Sequence, residues 1–298
     1  MSESAWMGYA EAQMLWLERH RHPVLDVLFG ALTALGVETF LLLFVALGYW
    51  LIDRAVFARA ATMLVVAAFL NTWIKGIFSA PRPDVSHVLP ASGWSFPSGH
   101  AQVAAALWGG LAWEIRARAP RASGALVLLA LGVAASRPYL GVHYPHDVAV
   151  GLALGALQIP ALAAWVRSGR SLDGPTGLLA GTAVGVGALV LTLTVLDPSV
   201  ADLGARLAGA GTGLALGVQL AGRSEPPTRA VDRLVLVAVG LPALLLPWLG
   251  LRHAAAAMGL EDALLAAFAR YVLVGLSIGA APRLAAGLRR RDPVREAA

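Results

Sequence analysis

The sequence predicts an all-α protein that crosses a membrane many times. Of its 298 residues, 58% are hydrophobic and only 14% are charged, and the mean hydropathy is +0.68. A soluble domain carries about 25% charged residues. The apolar residues also form long blocks, each close to the roughly 20 residues that a helix needs to span a bilayer. The predicted fold class is therefore a polytopic membrane helical bundle.

The first 22 residues are predicted to form an interfacial segment rather than a cleaved signal. Glu3, Glu11 and Glu18 interrupt this stretch, and it lacks the apolar core that a secretory signal requires. Trp6 and Trp16 are typical of a helix that lies at the membrane surface. A loosely ordered tail is the alternative.

About nine transmembrane helices are predicted along the rest of the chain. The first span is long enough to be tilted or broken near Gly36. The third span begins and the fourth span ends in polar sequence, which is unusual for a helix that faces lipid. The predicted spans are residues 24–52, 56–78, 98–116, 122–138, 145–166, 175–196, 202–220, 232–251 and 260–287.

Arginines cluster after the odd-numbered spans and are scarce after the even-numbered ones. Because positively charged loops tend to stay in the cytoplasm, this distribution predicts an external N-terminus and a cytoplasmic C-terminus. The arginines concerned are Arg54, Arg59, Arg116, Arg118, Arg121, Arg167, Arg170, Arg223, Arg229, Arg233, Arg289, Arg290, Arg291 and Arg295.

Three polar islands interrupt the apolar chain, and all three fall at the predicted non-cytoplasmic ends of spans. Six residues separate the two cations of the first island, and five and three residues separate the members of the third. The islands are Lys75 with Arg82, then Pro97-Ser98-Gly99-His100, and then Arg137 with His143 and Asp147.

The islands combine groups that bind a phosphate. Lys75 is the only lysine of the chain, and it ends an apolar run, where a charge is costly unless it is used. Arg82 and Arg137 offer planar guanidinium forks that fit phosphate oxygens. Ser98 is predicted to cap a helix N-terminus, where free N–H groups and the close approach permitted by Gly99 favour an anion.

A histidine and an aspartate in the third island have the spacing of a nucleophile and its partner. His143 and Asp147 lie four residues apart, on one face of a helix that Pro145 can start. The carboxylate can accept the Nδ1 hydrogen and leave Nε2 free to attack. His100, in the first turn of the capped helix, is predicted to face the same point. His146 is expected to face away from this pair.

Two further residues are candidates for the surroundings of the site. Glu38 is an intramembrane carboxylate, a residue type that is usually functional, and we expect it to contact an active-site cation or a substrate hydroxyl. Asn71, one turn before Lys75, is expected to bond Lys75 or the backbone. The islands contain no pair of acidic residues for magnesium, so no metal is predicted. The chain has no cysteine, which excludes disulfides and thiolate chemistry.

The order and spacing of the islands resemble the type 2 phosphatidic acid phosphatase (PAP2) superfamily, from about Asn71 to Gly151. The resemblance implies a six-helix-type catalytic membrane core at residues 23–170, after the interfacial segment at 1–22, with additional transmembrane helices at 171–298. It also implies a metal-free hydrolase without a cofactor. The implied roles are a phosphohistidine at His143, orientation by Asp147, proton transfer by His100, and phosphate binding by Lys75, Arg82, Ser98, Gly99 and Arg137.

The resemblance leaves the substrate class open. The first hypothesis is a lipid phosphate or diphosphate, such as undecaprenyl diphosphate, phosphatidylglycerol phosphate or phosphatidic acid. The site is then expected to face the periplasm from a bacterial inner membrane. A small sugar phosphate is the alternative, because nine spans with an external N-terminus are similar to glucose-6-phosphatase. A non-catalytic lipid transporter is a third reading, although a decayed site should have lost an island residue.

Two sequence features concern partners. The pI near 10.2 does not indicate nucleic-acid binding, because the arginines lie in short gaps between apolar runs. Gly-x-x-x-Gly pairs at 151/155, 181/185 and 213/217 favour close helix packing over a dimer interface. A homodimer stays an open alternative.

Overall fold

A computed structural model describes residues 3–290 except 171, 173, 196–197, 223–224 and 261–262. All regular structure in these ranges is helical, which confirms the predicted fold class. Arg223, Arg291 and Arg295 lie outside the described residues, and so do the side chains of Glu3, Trp6, Arg289 and Arg290. The helices are α1 (Glu3–Arg19), α2 (Pro23–Ala34), α3 (Glu38–Leu51), α4 (Arg54–Phe78), α5 (Gly99–Ala104), a π-helical turn (Ala105–Gly109), α6 (Gly110–Ile115), α7 (Pro120–Tyr139), α8 (Pro145–Arg167), α9 (Pro175–Val195), α10 (Pro198–Ala221), α11 (Ala230–Leu245), a second π-helical turn (Leu246–Gly250), α12 (Leu251–Ala257) and α13 (Leu264–Arg290).

Six helical segments of the described chain are long and apolar enough to cross a membrane. They lie in α4, α7, α8, α9, the continuous run from α11 to α12, and α13. The pair of α2 and α3 is a seventh candidate, bent by 52° at a short break, as the sequence predicts near Gly36. The remaining two predicted spans correspond to the helical run 99–115 and to α10. Both are helical but are not among the segments that are long and apolar enough to cross a membrane. That these two segments cross it therefore stays a prediction.

Proline begins several of these helices. α7 starts at Pro120 and α8 at Pro145. Proline suits the first helical position because its fixed φ is already helical and the N–H that it lacks would have no acceptor there. The predicted start of α8 is therefore confirmed, and Asp147 lies in the first turn of that helix.

The helices form two compact units. The first comprises Met1–Leu43 and Val66–Ala164, and it contains every residue of the three polar islands. The second comprises Phe44–Val65 and Trp165–Ala298. The predicted functional division at residues 22 and 170 rests on the sequence motifs and stays a prediction.

Glycines let α8 approach α5 closely in the first unit. A Cβ atom at Gly151 would lie 2.5 Å from the carbonyl oxygen of Ser98, and one at Gly155 would overlap the carbonyl oxygen of Gln102. No other residue type fits such a contact without a shift of the backbone. The approach brings the beginnings of the two helices together, and the Ser98 N–H donates to the Asp147 carbonyl at 3.0 Å.

The second unit has a tight core of its own. A Cβ atom at Gly213 would overlap the carbonyl oxygen of Val272, so α10 and α13 meet backbone to backbone. The side chain of Trp50 is fully buried, and its Nε1 donates to the Ile278 carbonyl at 2.7 Å. The 213/217 glycine pair thus serves helix packing within the chain, as the sequence indicates.

The N-terminal helix α1 packs on one face and leaves aromatic side chains exposed on another. Met14 is buried in a cluster with Tyr144, the residue after His143. Tyr9 and Trp16 are more than half exposed. Aromatic residues with a polar tip favour the interface between lipid and water, so this face supports the interfacial position, which stays a prediction.

Candidate active site

The three polar islands meet at one place in the first unit. The first and third islands touch where Arg82 Nη1 lies 3.3 Å from His143 Nε2. The second and third are joined by the hydrogen bond from the Ser98 N–H to the Asp147 carbonyl. Residues separated by up to about seventy positions in sequence therefore surround one point.

His143 lies in the turn between α7 and α8 and is only 2% exposed. Its Nδ1 is 3.5 Å from Oδ2 of Asp147, which is also buried. The backbone N–H of Tyr144 donates to the same carboxylate oxygen at 2.9 Å. The carboxylate is therefore fixed by the turn that carries the histidine, while Nε2 points toward Arg82.

The surroundings keep the His143 ring neutral. Its pKa is lowered to about 3, chiefly because the ring is buried. The hydrogen bond to Asp147 opposes this shift, and the positive charges of Lys75 and Arg82 add to it. A neutral imidazole keeps a lone pair on one nitrogen, and a nucleophile needs that lone pair.

Ser95 is a third member of this group, although it lies outside the three polar islands. Its Oγ donates to Asp147 Oδ2 at 2.5 Å and lies 3.3 Å from His143 Nδ1. The side chain is fully buried. The direct His143–Asp147 distance of 3.5 Å is long for a hydrogen bond. The Ser95 hydroxyl therefore completes the link between the ring and the carboxylate.

Replacing Ser95 with alanine is expected to lower kcat about tenfold with little change in KM, because a hydrogen bond to a charged group contributes about 1.5–3 kcal/mol. Steady-state phosphate release measures both constants. Ser123→Ala is the matched control, since Ser123 Oγ donates to the Ala112 carbonyl at 2.9 Å at the other end of α7. Equal effects of the two substitutions would contradict a role for Ser95 in orienting His143.

Arg82 is held by three main-chain carbonyls. Nε donates to Gly93 at 3.0 Å, Nη2 to Ser92 at 2.7 Å, and Nη1 to Val142 at 2.7 Å. A guanidinium has five N–H groups, so one remains on each terminal nitrogen. The one on Nη1 is within hydrogen-bond distance of His143 Nε2, at 3.3 Å. A phosphate that reacts with His143 would meet both groups as an end-on fork of the kind that binds two oxygens.

Lys75 ties α4 to the loop before α5. Its Nζ donates to the carbonyls of Trp94 and Ser95, the latter at 3.0 Å. An ammonium group has three donors, so one remains for an anion. The predicted phosphate contact and a structural role of this lysine are therefore compatible.

Arg137 is 7% exposed near the end of α7. Its Nη1 donates to Oγ1 of Thr33, from α2. Its Nε is buried and has no hydrogen-bond partner. A buried donor of a charged group is costly when it is unpaired, so this nitrogen is a candidate contact for the phosphate.

The start of α5 adds further donors. Ser98 is the residue before the helix, as predicted, but its side chain makes no capping hydrogen bond. Its Oγ is buried without a partner and is available to a ligand. A Cβ atom at Gly99 would lie 3.0 Å from Asn71 Oδ1. The first N–H groups of α5 have no intrahelical acceptor, which favours an anion at this end.

Asn71 and Glu38 differ from each other in their surroundings. Asn71 is buried and donates to the Pro97 carbonyl at 3.1 Å and to Gln102 Oε1 at 3.0 Å. The predicted hydrogen bond from Asn71 to the backbone is therefore confirmed, and it fixes the loop before α5. Glu38 is the first residue of α3 and is exposed; its contact with a cation or a substrate hydroxyl stays a prediction.

The expected direction of His146 is wrong. Its Nε2 lies 3.3 Å from Asp147 Oδ1, and its ring stacks on that of Tyr144 with centroids 5.2 Å apart. Helical register predicts that adjacent residues diverge, but at the first turn of a helix a long side chain can reach back past its neighbour. The stacking on Tyr144, in the preceding turn, holds the ring in this position.

Comparison with known proteins identifies the family. The sequence profile of the PAP2 superfamily matches residues 57–170. Phosphatidylglycerophosphatase B of Bacillus subtilis (strain 168) is 34% identical over 148 residues, which cover 46% of this chain and 73% of that protein. The chain belongs to the PAP2 superfamily. This PAP2 chain is also 42% identical over 113 residues to decaprenylphosphoryl-5-phosphoribose phosphatase of Mycobacterium tuberculosis, covering 35% of this chain and 58% of that protein.

A solved structure shares the fold of this PAP2 chain. The crystal structure of a transmembrane PAP2 type phosphatidylglycerolphosphate phosphatase from Bacillus subtilis superimposes with a TM-score of 0.50 and 24% identity, over 56% of this chain and 88% of that one. The helices long enough to cross a membrane agree with this fold. The protein is therefore an integral-membrane phosphatase of the PAP2 type.

Proposed function

We propose that this PAP2 phosphatase hydrolyses the phosphate ester or diphosphate of a membrane lipid, at a site on the non-cytoplasmic face of a bacterial inner membrane. The observation that carries the proposal is the buried His143–Asp147 pair. Arg82 Nη1 lies 3.3 Å from His143 Nε2, and the positive charges of Lys75 and Arg137 also act on the ring. Both curated relatives described above are named for phosphorylated lipids, which favours a lipid over a soluble sugar phosphate.

In the proposed first step, His143 Nε2 attacks phosphorus and the bond from phosphorus to the leaving oxygen breaks. His100 gives a proton to that oxygen, so the dephosphorylated lipid departs and a phosphohistidine remains. Water then attacks the phosphorus and loses a proton to His100. The P–N bond breaks, inorganic phosphate leaves, and both histidines return to their starting state.

The remaining residues orient and stabilise these steps. Asp147 and Ser95 hold Nδ1–H, so that the lone pair lies on Nε2, and the carboxylate stabilises the positive charge that the ring gains as the P–N bond forms. The free donors of Lys75, Arg82 and Arg137 neutralise the oxygens of the transferred group. In phosphoryl transfer such positioning and charge stabilisation provide most of the catalysis.

Purified protein in detergent is expected to release phosphate from at least one lipid of a panel that contains undecaprenyl diphosphate, phosphatidylglycerol phosphate and phosphatidic acid. Glucose 6-phosphate is the soluble comparison, at matched concentrations. A higher kcat/KM for the lipid is expected, because its chains remain in the detergent micelle around the spans while its head group reaches a site at their ends. A clear preference for glucose 6-phosphate would replace the lipid with the sugar phosphate alternative.

Activity is expected to survive EDTA and to be inhibited competitively by vanadate. Vanadate adopts the trigonal bipyramid of the phosphoryl transition state, and the donors of this site complement it. In the described part of the chain, no group of three or more His, Asp or Glu side chains is arranged to hold a metal ion. Rate assays with each reagent check both expectations. Activity lost in EDTA and regained with magnesium would contradict the metal-free mechanism.

The sidedness of the site can be tested with single cysteines, since the chain has none. Ser92 is exposed in the loop that holds Arg82, and Ala117 is exposed between Arg116 and Arg118. With the predicted orientation, an impermeant maleimide should label Ser92→Cys in intact cells and Ala117→Cys only after lysis. The reverse labelling would place the site in the cytoplasm and leave the chemistry unchanged.

A further inference from the structure

Helix α2 runs beside the end of α7 and is fixed to it by a tyrosine. Tyr139 Oη donates to Asp26 Oδ1 at 2.8 Å and accepts the His22 N–H at 3.0 Å. The Tyr139 ring packs on Phe29, with centroids 4.5 Å apart. Asp26, Phe29 and Thr33 are three and four residues apart, so they share one face of α2. That face is therefore directed at α7.

Thr33 lies at the end of this face, beside Arg137. Its side chain is buried, and its Oγ1 accepts a hydrogen bond from Arg137 Nη1. The Nε of the same guanidinium is buried and has no partner. Since Thr33 takes Nη1, the side of the guanidinium that carries Nε and Nη2 is left for another acceptor.

The break that follows Thr33 contacts a second active-site residue. A Cβ atom at Gly36, between α2 and α3, would lie 2.7 Å from Cδ2 of His100. The imidazole thus rests directly on the backbone of the break. One short stretch of the first span therefore contacts both Arg137 and His100, although it precedes residues 57–170, which match the family profile.

We propose that Thr33 is a positioning residue for the phosphate site: it holds Nη1 of Arg137 so that the Nε–Nη2 side of the guanidinium faces the phosphoryl group. The proposal rests on the proposed function, in which Arg137 is a phosphate ligand. Bidentate guanidinium–phosphate contacts are strong because two N–H groups are aligned with two oxygens. A long arginine side chain achieves that alignment with less loss of entropy when a neighbour already holds it.

The test measures binding of orthovanadate to the full-length protein in detergent by isothermal titration calorimetry, and it requires no knowledge of the lipid. Thr33→Val keeps the shape of the side chain and removes the acceptor, and it should weaken vanadate binding about tenfold. Thr33→Ser keeps the hydroxyl and should bind within about threefold of the wild type. Thr192→Val is the matched control, because Thr192 is a buried threonine of the second unit that donates to the Ala188 carbonyl.

A double-mutant cycle separates positioning from a general effect on packing. In an Arg137→Lys background, Thr33→Val should cause no further loss, since the group that Thr33 orients is gone. Equal losses in both backgrounds, or wild-type vanadate binding by Thr33→Val, would overturn the proposal. The protein could also bind vanadate tightly, lose that binding in Thr33→Val, and yet hydrolyse no lipid of the panel. That result would support the role of Thr33 and reject the proposed function.

Discussion

Replacing His143 with alanine is expected to lower kcat by more than about 10⁴-fold, because covalent catalysis has no substitute once the attacking atom is removed. The fold should survive the change. Asp147 Oδ2 still accepts hydrogen bonds from Ser95 and from the Tyr144 N–H, so the carboxylate keeps partners in the variant. Phosphate release from the preferred lipid measures the loss, and thermal unfolding in detergent checks the fold.

The wild-type protein should also yield an acid-labile, alkali-stable phosphoprotein after rapid quenching with labelled substrate, and His143→Ala should not. His253→Ala is a suitable control, because His253 is exposed on α12 in the second unit. Residual activity above about 1% of the wild type, together with a normal labelled intermediate, would assign the nucleophile to another residue.

The parts of this site that could be predicted from sequence are those fixed by local chemistry. The only lysine of an apolar chain, the Pro-Ser-Gly-His start of a helix, and a histidine four residues before an aspartate each imply an unusual use of polar groups. The start of α8 at Pro145 and the break near Gly36 also follow from local backbone preferences. None of these inferences required knowledge of which helices are neighbours.

Residues that act across the fold could not be predicted in the same way. Ser95 and Thr33 each present a single hydroxyl to a charged group that is distant in sequence, at Asp147 and Arg137 respectively. Serine and threonine occur throughout membrane helices, where most bond their own backbone. Only the packing of α2 on α7, and of the loop before α5 on α8, distinguishes these two hydroxyls from the others.

The cations of the site show how charge is tolerated in an apolar surround. Lys75 and Arg82 give most of their donors to main-chain carbonyls, and Arg137 gives one to Thr33. Carbonyl dipoles and hydroxyls compensate part of the desolvation cost without neutralising the charge. The positive charge therefore remains available for a phosphate, and the few unused donors are already directed by the bonds that the others make.

His100→Asn is expected to lower kcat on a lipid phosphate by about 10²–10⁴-fold, the usual contribution of a general acid or base. Asparagine has a similar size and can rest on the backbone at Gly36, but it cannot transfer a proton. The proposed mechanism uses His100 twice, first as the acid for the leaving oxygen and then as the base for water. A substrate whose leaving group needs no proton can separate these two uses.

With p-nitrophenyl phosphate, His100→Asn should release one equivalent of p-nitrophenol in a rapid burst and then turn over slowly. p-Nitrophenolate departs without protonation, so attack by His143 remains fast in the variant. Hydrolysis of the phosphohistidine still requires a base for water, so the intermediate accumulates, and stopped-flow absorbance records the burst. p-Nitrophenolate leaves without a proton, so the loss of a general acid does not slow the first turnover. A slow first turnover without a burst would therefore mean that His100 is needed to bind or orient the phosphoryl group itself.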